Sequence, residues 1–180
     1  EEIVNGIYLA TSFEYANRKP LFNTTDYSFA KQDKNGGYKP NNPSDVIEVF
    51  KEHEIAILNV GATFVFGQKY LSYPDRKENI DSEKYPSLNV NYTKRFGASN
   101  SELNSDVFTA NLTQDINAGN YGEFSYNLRG GVFLKKKDIA FMDFLQANGN
   151  QLLFPLDREL SSFGFLEYYK FYTNDKYAEA

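Results

Sequence analysis

The chain has 180 residues, enough for one ordinary core, and its 41% hydrophobic and 24% charged residues exclude bulk disorder. A net charge of -5 disfavours nucleic acid as a partner, and the absence of cysteine removes disulfides, thiolate catalysis and cysteine metal sites together. Mean hydropathy is -0.56 and no apolar run approaches the roughly twenty residues of a membrane helix, which leaves a membrane barrel of half-apolar strands untouched.

The residue bias favours strands and turns: 14 Tyr and 16 Phe with no Trp and one Met, among many Asn and Thr. No secretory signal opens the chain, because Glu1-Glu2 precedes only a short apolar pair. An exported protein would therefore be seen here as a mature form or an internal piece.

The first predicted strand is Gly6 to Ala16. Ile7, Leu9, Thr11, Phe13 and Tyr15 line one face, and the only charge in the stretch, Glu14, falls on the other. Asn17 to Asp45 is broken by Asn35-Gly36-Gly37 and Pro40-Asn41-Asn42-Pro43 and reads as a long surface loop. Within it, Asp33-Lys34-Asn35-Gly36 resembles the opening of a calcium loop. The spacing fails, and Ser44 stands where a bidentate Glu is needed, so no metal or other cofactor is expected. Asp45 to His53 reads either as a helical turn capped by Asp45 and Glu48 or as an extension of the next strand. His53, the sole histidine, lacks a metal or nucleophile partner in the pattern and is expected on the surface or in a lumen.

Glu54 to Tyr70 is the most informative stretch. Ala56, Leu58, Val60, Ala62, Phe64 and Phe66 alternate with Ile57, Asn59, Gly61, Thr63, Val65 and Gly67. A period of two over about eleven residues matches a membrane-crossing strand, whereas strands of soluble proteins usually run to about five or six.

Leu71 to Ser87 follows as a polar connection. Leu88 to Phe96 sets Leu88, Val90 and Tyr92 against Asn89, Asn91, Thr93 and Arg95. After a turn cluster at Gly97 to Ser105, Val107 to Gln114 sets Phe108, Ala110 and Leu112 against Val107, Thr109, Asn111 and Thr113. Asn117-Ala118-Gly119-Asn120 is the tightest hairpin signal. The next strand carries Gly122, Phe124, Tyr126, Leu128, Gly130, Val132 and Leu134 on one face, and Tyr121, Glu123, Ser125, Asn127, Arg129, Gly131 and Phe133 on the other. The basic run Lys135-Lys136-Lys137 reads as a solvated turn. Lys137 to Phe165 loses the alternation and is expected to fold back over a barrel mouth on apolar anchors. An aromatic run from Tyr168 to Tyr172 then turns at Thr173-Asn174-Asp175 into a last strand at Lys176.

Five strands therefore share a design with a charge-free apolar face and a face of amides, hydroxyls and occasional charges. A small sandwich would carry more Lys and Glu on its solvent face. The predicted fold is all-β, an antiparallel up-and-down transmembrane barrel of which about six strands are visible, with long surface loops. Ile7, Leu9, Phe13, Leu58, Val60, Phe64, Phe66, Val90, Phe108, Leu112, Phe124, Tyr126 and Leu128 are expected to face lipid. Glu14, Asn59, Arg95, Asn111, Glu123 and Arg129 are expected to face a lumen. Tyr15, Tyr70, Tyr73, Tyr92 and Tyr121 would form aromatic girdles near strand ends.

A resemblance rests on the order of several short motifs. Phe66-Gly67-Gln68-Lys69-Tyr70 is followed by Tyr85-Pro86-Ser87-Leu88 and Tyr92-Thr93-Lys94. Then come Phe141-Met142-Asp143-Phe144, Gly149-Asn150-Gln151, Leu166-Glu167-Tyr168-Tyr169 and Asn174-Asp175-Lys176-Tyr177-Ala178-Glu179. Over roughly residues 50 to 180, this resembles the barrel region of a family of Bacteroidota outer-membrane proteins. Its members join an amino-terminal carboxypeptidase-regulatory-like sandwich to a barrel distantly similar to surface-antigen, BamA-type barrels. The resemblance implies a segment of a larger barrel at the bacterial cell outer membrane, and it carries over no catalytic residues.

The leading expectation is a non-enzymatic outer-membrane barrel segment, serving as a pore, an anchoring or assembly component, or a surface-exposed binding protein. Its expected partners are outer-membrane lipid and the remaining barrel strands or partner chains of an outer-membrane complex. The alternative is a soluble exported sandwich or small barrel that binds a ligand such as a glycan through surface aromatics, with Phe13, Leu58, Phe64, Phe124 and Leu128 in its core. An enzyme ranks third. Asp81 and Glu83, or Asp157 and Glu159, sit in polar stretches, and no Gly-x-Ser-x-Gly turn occurs.

Overall fold

A computed structural model describes residues 2–19, 52–80, 84–147 and 171–180. Its strands are β1 (Glu2–Val4), β2 (Ile7–Arg18), β3 (His53–Val65), β4 (Lys69–Ser72), β5 (Lys77–Ile80) and β6 (Ser87–Phe96). They continue with β7 (Ser105–Asn117), β8 (Glu123–Lys135), β9 (Leu145–Gln146), β10 (Tyr172–Thr173) and β11 (Lys176–Glu179). The protein is all-β. One antiparallel sheet of seven strands runs in the order β1-β2-β3-β6-β7-β8-β11, and β4-β5 and β9-β10 form separate two-stranded sheets. Among the described residues the large sheet has two edges, β1 and β11, which do not pair with each other.

The four longest strands have 12, 13, 13 and 13 residues and β6 has 10, so the sequence expectation of unusually long strands holds. Their register keeps the alternating pattern aligned. Ile7, Phe64, Leu88, Leu112 and Leu128 form one cross-strand row, and Leu9, Ala62, Val90, Ala110, Gly130 and Ala178 form the next. Since a slip of one residue would swap the faces of a whole strand, these rows fix an apolar face and a polar face across the sheet.

Several expectations are corrected. Asn17 and Arg18 continue β2 rather than opening a loop, because they pair with Glu54 and His53. The connection from Leu71 to Ser87 holds a hairpin of its own, Lys69–Ser72 against Lys77–Ile80, with Arg76 and Lys77 stacked over Tyr73 and Tyr70. The tight turn expected at Asn117 to Asn120 is a five-residue connection. It contains a 3-10 turn at Gly119–Tyr121, and Gly119 and Gly122 both take positive φ. The calcium-like stretch 33–36, the segment 20–51 that includes most of the capped-turn reading, Asp81, Glu83, Gly149 to Gln151, Asp157, Glu159 and Leu166 to Tyr169 all lie outside the described residues.

The turn leaving β3 depends on Gly67, whose φ of 66° lies in the left-handed region. A Cβ there would also collide with the Tyr85 ring. Gly67→Ala is expected to cost on the order of 1–3 kcal/mol. The loss should appear as a lower urea midpoint and as lost hydrogen-exchange protection confined to β4 and β5.

Burial is concentrated at one end of the sheet. Ile55, Ala56, Ile57, Val107, Phe133 and Ile139 are the buried apolar residues, with His53, Ser105, Asp106 and Asp143 buried beside them. Val107, Phe133 and Ile139 pack together, and Phe144 and Leu145 lean against them. Ile57, Val107 and Phe133 belong to the polar set of the alternation. The polar face is therefore covered at this end by the segment 138–147, and His53 is buried rather than on a surface.

Candidate functional site

The two faces of the sheet are the features with functional content. On the polar face, short side chains form a hydrogen-bonded ladder across the strands. Asn59 donates to Ser12 at 3.2 Å, Thr93 donates to Asn59 at 2.7 Å, and Asn91 donates to Thr93 at 3.0 Å. Asn89 donates to Thr63 at 2.8 Å, and the Ser87 and Thr113 hydroxyls meet at 2.8 Å. Arg129 pairs with Glu179 of β11 at 3.4 Å. Where β3 ends, Tyr8 receives Gln68 at 2.8 Å and Asn79 of the β4-β5 hairpin at 2.8 Å, which ties the hairpin to the sheet.

At the buried end the ladder gives way to charge. Asp143, in the 3-10 turn Phe141–Asp143, accepts from both terminal nitrogens of Arg18, at 2.8 and 3.2 Å. It also pairs with Arg95 Nε at 2.9 Å. The Asp143 side chain is 5% exposed and the two arginines 18% and 16%. One carboxylate therefore sits between two guanidiniums, on a turn anchored by Ile139, Phe144 and Leu145.

The opposite face lacks a comparable cover among the described residues. Phe13 is 66% exposed, Phe124 61% and Leu128 43%. Leu9, Val60, Phe66 and Phe108 are exposed, and Ile7, Leu58, Phe64, Val90, Leu112 and Tyr126 are half-buried. None of the residues named for the core of a soluble sandwich is in the buried core.

The expectation that this face is free of charge needs one correction. Lys94 follows Leu88, Val90 and Tyr92 on the apolar side and lies opposite Asp106, which in turn lies 3.8 Å from Lys135. These charges stand at the buried end, where they bound the band instead of interrupting its middle. Tyr92 is also displaced from its expected place. It sits mid-strand, across from Val60 and Phe108. Rings do collect at both limits of the band. Phe13 stacks near Phe96 with centroids 6.5 Å apart, and Tyr15 donates to Glu54 at 2.8 Å. At the other limit Phe124 lies 6.3 Å from Tyr126, whose hydroxyl donates to Gln114. Tyr70 and Tyr73 stand on the β4-β5 hairpin and Tyr121 in the turn before β8, all exposed.

The family model of the C-terminal domain of a family of unknown function (DUF5686) matches residues 1–180. The chain belongs to this family. No curated protein and no solved structure matches it. The motifs that carried the sequence resemblance acquire physical roles in this DUF5686 C-terminal domain. Gly67 makes the left-handed turn, and the Phe141-Met142-Asp143-Phe144 motif supplies the carboxylate and an apolar anchor of the covered end.

Of the expected lumen residues, Asn59 joins the ladder, Arg95 the ion-pair cluster and Arg129 the pair with Glu179. Asn111 lies on the same face between Asn89 and Arg129, and Glu14 and Glu123 are exposed there. Sequence reasoning missed Arg18 and Asp143. The signal for Asp143 was its position, a lone carboxylate inside the apolar stretch from Ile139 to Leu145.

At the loop that leads into β11, Lys136 reaches Asp175 at 2.9 Å. That hydrogen bond, and then the ammonium charge itself, hold the Asp175 carboxyl below its ordinary value of 3.8. The pair's small contribution is thus present above the unfolded pKa and is lost as pH falls through the lowered one. Lys136→Gln should move the Asp175 titration, followed by NMR, back up toward 3.8.

Among the described residues no group of three His, Asp or Glu side chains is placed to hold a metal, and no helix is long and apolar enough to cross a membrane. The latter says nothing of a β-barrel.

Proposed function

We propose that the chain is a non-enzymatic part of an outer-membrane β-barrel, with its apolar face toward lipid and its polar face toward the interior. The observation that carries this reading is the uncovered apolar band on strands of 10 to 13 residues, set opposite a polar face crossed by a hydrogen-bonded ladder of amides and hydroxyls. From Phe108 to Ile116 the band on β7 runs about 27 Å along the strand, and a tilt of about 40° brings that to roughly 21 Å of bilayer depth. An outer-membrane barrel presents an apolar belt about 25 Å tall, flanked by aromatic rings. A soluble protein seldom leaves a continuous apolar surface of this breadth to water.

The open edge of β2 belongs to the same reading. β1 pairs only with Ile7 and Tyr8, so among the described residues the outer side of β2 beyond Tyr8 has no strand against it. Backbone groups within a bilayer need partners, and further barrel strands, from this protein or from a partner chain of an outer-membrane complex, would supply them.

Fractionation after expression with an export signal tests the proposal. The protein should stay with the outer-membrane fraction through washes with urea and alkaline carbonate and come away only in detergent. Recovery in the soluble fraction, with no detergent belt in scattering, would return the protein to the ligand-binding sandwich reading.

A further inference from the structure

The connection from β8 to β11 is longer than its ends require. β11 lies beside β8, and neighbouring antiparallel strands are usually joined by about two to five residues. Instead the chain leaves Lys135, crosses the polar face and places Asp143 against Arg95 of β6 and Arg18 of β2. In the strand order β2-β3-β6-β7-β8, the clasp with Arg18 reaches four strand spacings from β8, about 19 Å.

Leu145 and Gln146 pair with Thr173 and Tyr172, and two further kinds of contact fasten the segment to the large sheet. Ile139, Phe144 and Leu145 cover Val107 and Phe133, and Leu145 lies where a Cβ on Gly131 would come within 3.0 Å of it. The other contact is the single carboxylate shared by two arginines. Two guanidiniums held against one carboxylate repel each other, so the anion between them favours the covered arrangement in proportion to its own charge.

We propose that Ile139 to Gln146 is a latch over one end of the polar face, closed by Asp143 and opened when that carboxylate is withdrawn or neutralised. Opening bares the arginine pair and the strip around Val107 and Phe133 to water, while the ladders of the seven-stranded sheet stay paired. It is a local two-position element, the kind of unit that opens at a free energy well below that of the whole fold. The inference does not require a bilayer. Fractionation tests the membrane reading, and the experiment below tests the latch in whatever medium keeps the protein folded.

The full chain has no cysteine, so a single Val107→Cys change gives a clean reporter beneath the latch. Asn89→Cys, on the exposed part of the same face, serves as the reference. With a hydrophilic maleimide, Val107→Cys should react slowly in the otherwise native chain. Asp143→Asn, which leaves both arginines without their anion, should accelerate it roughly tenfold or more. Arg18→Gln leaves Asp143 balanced by Arg95 and should give a smaller acceleration. Asn89→Cys should react at one rate in all three backgrounds. Equal reactivity of Val107→Cys in native and Asp143→Asn chains would overturn the latch. So would an equal acceleration at Asn89→Cys, since the whole sheet would then be opening.

Discussion

Leu128→Arg is expected to lower the folding stability of the membrane-inserted protein by about 2–4 kcal/mol, the cost of a cationic side chain near the midplane on the lipid side of a barrel. Leu9→Arg should behave alike, since Leu9 stands one row away on the same face. Ala10→Arg changes the very next residue but on the polar face, and it should stay within about 0.5 kcal/mol. All three positions are exposed in the fold, so in a water-soluble protein the three substitutions would be equally mild. Equilibrium unfolding in urea from lipid vesicles separates the outcomes. A clear ordering with Ala10→Arg harmless supports the bilayer assignment, and three indistinguishable midpoints contradict it.

The second large effect is expected at the ion-pair cluster. Asp143→Ala should cost about 3 kcal/mol, the lower part of the range for breaking a buried ion pair, because it leaves two arginines uncompensated. Arg18→Ala should cost much less, since Asp143 then remains paired with Arg95 at 2.9 Å. The asymmetry is the diagnostic result. If the cluster were an ordinary solvated surface pair, either substitution would cost about 1 kcal/mol or less. Denaturant midpoints of the two variants, with limited proteolysis at the segment 138–147, measure it.

Most of the sheet was legible because its pattern is local. Alternation from Ile7 to Tyr15 and from Ala56 to Phe66 fixes strand type and face from neighbouring residues alone, and the register then follows from matching one face to the next. What escaped depends on contacts distant in sequence. Arg18 and Asp143 are separated by 125 residues, and nothing in the local pattern around Arg18 marks it as half of a clasp. Ile57, Val107 and Phe133 are apolar residues within the polar set of the alternation. They become intelligible once Ile139, Phe144 and Leu145 lie over them. Lys94 was passed over because a period of two weighs each position equally. Its neighbour across the ladder, Asp106, shows that the apolar band ends there. The β4-β5 hairpin was hidden by its composition: prolines and charges read as a loop, although a short exposed strand pair carries such residues easily.

The most direct test of the central claim is a cysteine scan of residues 56–66 in the cysteine-free chain, with a polarity-sensitive fluorophore at each position and a lipid-attached nitroxide as quencher. Lipid contact along the apolar face predicts quenching with a period of two, strong at 58, 60, 62 and 64 and weak at 57, 59, 61 and 63. Quenching that is flat along the strand, or strongest at Asn59 and Thr63, would contradict it.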